Sequence, residues 1–238
     1  MAELTAEAPP VVELIRTSKV YRNGGTLVTA LHEADLALAR GAFTAIVGRS
    51  GCGKSTLLNL AGAVDVPSSG EVWIERRSTR EMGDDELSRL RRTRIGFVFQ
   101  FFNLLPTLTV EENVCLPLML DLQRVSSEKA AVLRTRVMAL LQRVGLEDKA
   151  ARFPHQLSGG EMQRAAIARA LVHQPGVVIA DEPTGNLDSV NAETVLALLR
   201  QISSEGQTVL MATHSVEAAG AASRVLSMRD GRLLPSPV

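Results

Sequence analysis

43-FTAIVGRSGCGKSTLLNLAGAV-64 passes from an apolar, β-branched segment through a glycine-rich loop into a helical pattern. Gly48, Gly53, Lys54 and Ser55 fit the spacing G-x-x-x-x-G-K-[ST]. Glycines at 48, 51 and 53 let the backbone turn its N–H groups inward around a polyanion, and the helix that begins near Lys54 adds a positive end. Lys54 offers a point charge to the β- and γ-phosphates of a nucleotide, and Ser55 offers a hydroxyl to Mg²⁺. The loop as a whole (Gly48, Arg49, Ser50, Gly51, Cys52, Gly53, Lys54, Ser55 and Thr56) is a candidate cradle for a nucleoside triphosphate with Mg²⁺. Cys52 admits two readings: a thiol whose pKa is lowered by the helix start and Lys54, or a small residue that fits the loop. The second is the simpler.

The rest of the chain agrees with an α/β fold. Segments 11-VVELIRTSKVY-21, 27-LVTALHEADLAL-38 and 71-EVWIE-75 read as strands bounded by turn residues. Asp84 and Asp85 can open a helix over 86–93, ahead of a strand 95-IGFVF-99. Helical patterns follow over 110–120 and 127–144; in the second, Leu133, Val137, Leu140, Leu141 and Val144 recur every three or four residues. The last third alternates. The continuous apolar runs 177-VVIA-180 and 208-TVLMA-212 suit parallel strands covered on both faces, with a helix over 189–204 between them. A third strand, 225-VLSM-228, precedes a turn at Asp230-Gly231. The pattern predicts a mostly parallel central sheet with flanking helices, in a single domain over 10–238 after a disordered lead at 1–9. A helical insert is expected over about 100–165.

Composition sets limits on function. Of the 238 residues 45% are hydrophobic and 22% charged, ordinary for a globular protein. A net charge of zero argues against a nucleic-acid partner. Cys52 and Cys115 make no disulfide framework and suit a reducing, cytoplasmic setting. MAELTAEAPP lacks the basic and apolar regions of a signal peptide. No apolar run reaches the roughly 18 residues that span a bilayer. Any membrane role is therefore expected to run through a partner.

Three strand ends supply further candidates. 177-VVIADEPTG-185 places Asp181 and Glu182 at the tip of a buried strand, where open α/β sheets bind ligands. Asp181 is the expected Mg²⁺ ligand. Glu182 points elsewhere and can polarise an attacking water. Two carboxylates beside a triphosphate imply a cation between them. His214 follows 208–212 and can reach the γ-phosphate and the water, whereas His32, His155 and His173 read as structural. Gln100 follows 95–99 and can sense Mg²⁺ or water through its amide.

A second glycine motif, 157-LSGGEMQR-164, is not needed to hold that nucleotide. Ser158, Gly159 and Gly160 before a helix over 161–172 form either an anion-binding nest or a plain helix cap, and on these residues alone the cap is favoured. With Tyr21, residues 48–56, Gln100, 177-VVIADEP-183, 185-GNLD-188 and His214, this motif makes the chain resemble the nucleotide-binding subunit of ATP-binding-cassette (ABC) transporters over residues 10 to 232. The resemblance implies a P-loop NTPase of ABC type with an N-terminal antiparallel β subdomain and an inserted helical subdomain. It implies that a second copy pairs head to tail, with Ser158, Gly159 and Gly160 on the partner's ATP. Tyr21 is then expected to stack on adenine and Asp188 to couple the two sites. The segment 101-FFNLLPTLTVEENV-114 is expected to meet transmembrane permease subunits, leaving the chain peripheral on the inner face of the cell membrane.

Within the family, 97–114 and 183-PTGNLDS-189 resemble the lipoprotein-releasing, macrolide-efflux and cell-division group, as does the short stretch of 24 residues after His214. Arg49, Val64 and Val66 depart from the expected Pro, Leu and Arg without touching a catalytic role. The expected activity is ATP hydrolysis driving transport, with an ATP-dependent signalling switch on a membrane partner as the alternative. A soluble DNA-repair or translation ATPase fits less well, because there is no heptad run and only one cassette.

Overall fold

The computed structural model describes residues 9–120 and 127–234, so residues 1–8 of the expected lead lie outside it. In chain order the strands are β1 (Val12–Asn23), β2 (Thr26–Leu38), β3 (Phe43–Val47), β4 (Ser69–Ile74), β5 (Arg77–Ser78), β6 (Ile95–Phe99), β7 (Val177–Asp181), β8 (Thr208–Thr213), β9 (Arg224–Arg229) and β10 (Arg232–Leu234). The helices are α1 (Lys54–Ala61), α2 (Asp84–Arg94), α3 (Val110–Met119), α4 (Ser127–Arg143), α5 (Gly159–Leu171), α6 (Ser189–Ser204) and α7 (Val216–Ala219). Two sheets form, a four-stranded one in the order β2-β1-β4-β5 and a six-stranded one in the order β10-β9-β3-β8-β7-β6.

The six-stranded sheet is parallel from β9 to β6, with β10 antiparallel at its edge. Its central strands are the continuous apolar runs of the sequence. The first four residues of β3 and β7 and all six of β8 are buried, as strands covered on both faces require. Successive side chains point to opposite faces, so one sheet feeds two cores. Val177, Ile179, Leu210 and Ala212 pack with α1 and the antiparallel sheet. Val178, Ala180, Val209 and Met211 pack on the other side with α5, α6 and the insert residues Val110, Val114, Val137 and Leu141. Of the apolar face read on 127–144, Val137, Leu141 and Val144 enter this core and Leu140 packs against it, whereas Leu133 lines a surface pocket.

The four-stranded sheet is wholly antiparallel. Along the second half of β2 the burial alternates with the pleat: Ala34, Leu36 and Leu38 are buried, while Asp35 and Ala37 between them face solvent. β5 was not legible in the sequence. It pairs through a two-residue turn at Glu75 (φ 45°) and Arg76 (φ 65°), neither of which is a residue that favours left-handed backbone. The Asp230-Gly231 turn, by contrast, carries the usual hairpin chemistry and joins β9 to β10.

Candidate nucleotide site

A cavity of about 890 Å³ opens at the carboxyl ends of β3, β6, β7 and β8. Its lining includes Arg49, Ser50, Gly51, Gly53, Lys54, Ser55 and Thr56 from the loop after β3. Gln100 enters from β6, Asp181 and Glu182 from β7, and His214 from β8. Open parallel sheets bind ligands at this end.

The loop is built as its spacing requires. Gly53, the N-cap of α1, has φ 106°, and a Cβ there would lie 2.5 Å from the Ala30 carbonyl oxygen. Only glycine fits. Lys54 is 7% exposed. Its ammonium donates to the carbonyls of Gly48 (2.7 Å) and Arg49 (3.3 Å) and stands 3.8 Å from Glu182 Oε1. Cys52 is buried, its sulfur 2.6 Å from where a Cβ on Gly48 would fall, so it fills the loop interior.

Asp181 is pushed above the ordinary carboxylate range, first by burial and also by the charge of Glu182; a bond from Ser55 and the charge of Lys54 pull the other way. Glu182 sits in left-handed backbone at φ 48°. Its N–H donates to Ala212 O at 2.9 Å, and its Oε2 accepts from His214 N at 3.2 Å and lies 3.0 Å from His214 Nδ1. Strained backbone of this kind clusters at functional sites. Gln100 is fixed by a reciprocal pair with Asn186: its Nε2 donates to Asn186 Oδ1 (3.1 Å), and Asn186 Nδ2 donates to Gln100 O (3.0 Å).

Other expected site residues lie outside this cavity. The Tyr21 hydroxyl donates to Asp65 at 2.9 Å, and Lys19 Nζ lies 5.1 Å from the ring centroid. Burial, then Asp65, raise the Tyr21 pKa, and a bond with Thr56 opposes them, so the ring adjoins the loop. Ser158 caps α5: its hydroxyl accepts from Glu161 N at 3.3 Å while Glu161 Oε2 accepts from Ser158 N at 2.7 Å. Ser158, Gly159 and Gly160 do not line the cavity of their own chain. Asp188 caps α6.

Two residues to which the sequence gives no role brace the site. Gln163 is wholly buried and its Nε2 donates to Pro183 O (2.6 Å) and Phe99 O (3.3 Å), next to Glu182 and Gln100. Its sequence signal is its place in the motif 157-LSGGEMQR-164. Asn186 is the other.

The fold and the cavity define a P-loop nucleotide-binding domain. The chain belongs to the ABC transporter family, whose model matches residues 31–185. An uncharacterized ABC transporter ATP-binding protein of Methanocaldococcus jannaschii, MJ1508, is 44% identical over 94% of this chain and 98% of its own. The macrolide export ATP-binding/permease protein MacB of Burkholderia pseudomallei is 43% identical over 94% of this chain, which spans 34% of that longer protein. The structure described as the dimeric form of the bacterial ABC transporter cassette MJ0796 superposes with a TM-score of 0.84 at 42% identity, covering 94% of this chain and 97% of that one. A second structure of MJ0796, a dimeric post-hydrolysis state bound to ADP and Pi, gives 0.84 at 41% identity. These relatives belong with the branch that the sequence phrases resemble, and the chain is an ATP-binding cassette.

Proposed function

We propose that this cassette is the ATP-hydrolysing motor subunit of a membrane transport complex, active as a head-to-tail pair of copies around two ATP. One observation carries the reading. Lys54, Ser55, Asp181, Glu182 and His214 share one cavity, whereas Ser158–Gly160 is absent from its lining, with Ser158 exposed on the surface. The dimeric MJ0796 structures support the pairing, and MacB, named as an ATP-binding and permease protein, supports a transmembrane partner. No helix among the described residues is long and apolar enough to cross a membrane. We place the chain on the inner membrane face through permease subunits.

The residues fit a hard divalent cation. Among the described residues no cluster of three His, Cys, Asp or Glu exists to cage a metal. Mg²⁺ commonly takes few protein oxygens and completes its shell with phosphate and water. Ser55, Asp181 and Gln100 would hold it, and its charge would offset that of the phosphates. Lys54 binds the β- and γ-phosphates. Glu182, held by His214, accepts a proton from the attacking water, and His214 orients it. Tyr21 offers its ring to adenine. The partner's nest adds N–H donors to the γ-phosphate, and losing that phosphate removes the charge joining the copies. The segment 101–114 is the proposed permease seat, together with the groove of about 570 Å³ that its Asn103 lines with Phe97, Phe99, Leu116, Pro117 and Leu120.

Glu182→Gln tests the reading. It removes the base but keeps the donors to phosphate, so the variant should bind ATP and accumulate as a dimer in light scattering. An ATP-bound variant that stays monomeric overturns the shared site.

A further inference from the structure

We propose that Asn191 is a positioning residue that locks the Asp188 turn to the first turn of α5, so that the nest and Asp188 meet a second copy as one rigid unit. The inference rests on the paired-copy reading above.

Asn191 is the third residue of α6 and makes two different bonds to one carboxylate. Its backbone N–H donates to Asp188 Oδ1 at 2.9 Å, which any residue but proline could do at a helix start. Its side-chain Nδ2 donates to Asp188 Oδ2 at 2.6 Å, which a helix cap does not need. With both oxygens held by one residue, the Asp188 side chain has a fixed direction. These two bonds hold the Asp188 carboxyl below its usual range.

The other flank of Asn191 rests on Gly160. A Cβ at Gly160 would lie 2.5 Å from Asn191 Cγ and 2.9 Å from its Cβ. Gly160 therefore has a reason to be glycine inside a single chain, apart from any phosphate. The adjoining Gly159 faces the same turn: a Cβ there would stand 3.3 Å from Leu187 Cδ2 and 3.9 Å from Asn186 O. Asn186 is in turn the residue that holds Gln100. Contacts thus run from Gln100 in the chain's own cavity, through the turn at 186–191, to both glycines of the nest. Close packing of this kind moves as a unit, because a tightly packed contact does not deform gradually.

The test separates nest presentation from nucleotide binding. In a Glu182→Gln background, ATP-dependent dimerisation is measured by light scattering, and monomer binding by titration with a fluorescent ATP analogue at protein concentrations too low to dimerise. Adding Asn191→Ala should raise the ATP concentration needed for dimerisation about ten-fold, the loss of one charge-assisted bond. Monomer affinity should stay within about two-fold on the same scale. Asn191→Asp, which sets a carboxylate against Asp188, should shift dimerisation further. Gly160→Ala should lower the melting temperature, and Asn191→Ala should relieve part of that loss by removing the clashing amide. Unchanged dimerisation in Asn191→Ala, an equal loss of monomer affinity, or no relief in the double variant overturns the proposal. If Glu182→Gln alone fails to dimerise, the paired-copy reading fails instead.

Discussion

Gln163→Leu is a test of how α5 is fastened to the strand ends. The wild-type amide is wholly buried and donates to Pro183 O at 2.6 Å and Phe99 O at 3.3 Å. Leucine keeps most of the volume and removes both donors. The two carbonyls do not suffer equally, because Phe99 O also accepts from Phe102 N at 3.3 Å and keeps a partner. Pro183 O loses its short bond, at about 1–3 kcal/mol for a stranded buried acceptor. The wild type carries an offsetting defect: Gln163 Oε1 is buried without a hydrogen-bond partner among the described residues. Deleting it returns about 1 kcal/mol. The net loss is about 0–2 kcal/mol, and at this chain length each kcal/mol moves the melting temperature by about 2–4 °C. Calorimetry on the nucleotide-free protein should therefore show a fall of up to about 8 °C. Gln163→Glu should fall further at neutral pH, since it aims a carboxylate at two carbonyls. A Leu variant that melts above wild type, or a Glu variant more stable than Leu, would refute the reasoning.

Two other predictions follow from single contacts. Lys54→Ala removes the charge aimed at the phosphates and the ammonium that ties the carbonyls of Gly48 and Arg49, so nucleotide affinity should fall at least about ten-fold in a fluorescent-nucleotide titration. Undiminished binding would remove Lys54 from the site. Asp65 gives a pH dependence: burial pushes its carboxyl up, but bonds from Lys19, Tyr21 and the Val66 N–H prevail and hold it below its usual range. A depressed carboxylate contributes stability that is present above its unfolded value of about 4 and lost as pH falls through its folded value. Wild type should therefore lose melting temperature more steeply than Asp65→Asn below about pH 4, and parallel curves would exclude the contribution.

The parallel sheet was legible because its strands must be apolar on both faces, and 43–47, 177–180 and 208–212 are unbroken apolar runs. The cavity was legible for the same reason, since knowing where such strands end locates Gln100, Asp181, Glu182 and His214. β5 stayed hidden because Glu75 and Arg76 adopt a hairpin turn without turn residues, held there by pairing of Ile74 with Arg77. Asp65 as the partner of Tyr21, and Pro183 and Phe99 as those of Gln163, depend on contacts between residues 20 to 64 positions apart. No local pattern encodes them. The second glycine motif lies between these cases: its cap chemistry is readable from Ser158 and Glu161, but its packing against Asn191 is not.

The tip of β7 shows where local rules yield to chemistry. Val177 to Ala180 are buried apolar residues that satisfy both cores. The next two residues break that pattern. Asp181 is a carboxylate that burial drives toward protonation, so its ionised form costs stability as pH rises through its folded value. Glu182 occupies left-handed backbone beside a second carboxylate and a nearly buried lysine. A sequence selected for stability alone would place turn residues there. The strand below is bonded to β6 and β8 along its length, and the Glu182 N–H donates to Ala212 O just past its end, so the backbone fixes both acids. Departures from local rules at a well-paired strand end are expected where a site, and not stability alone, has shaped the residues.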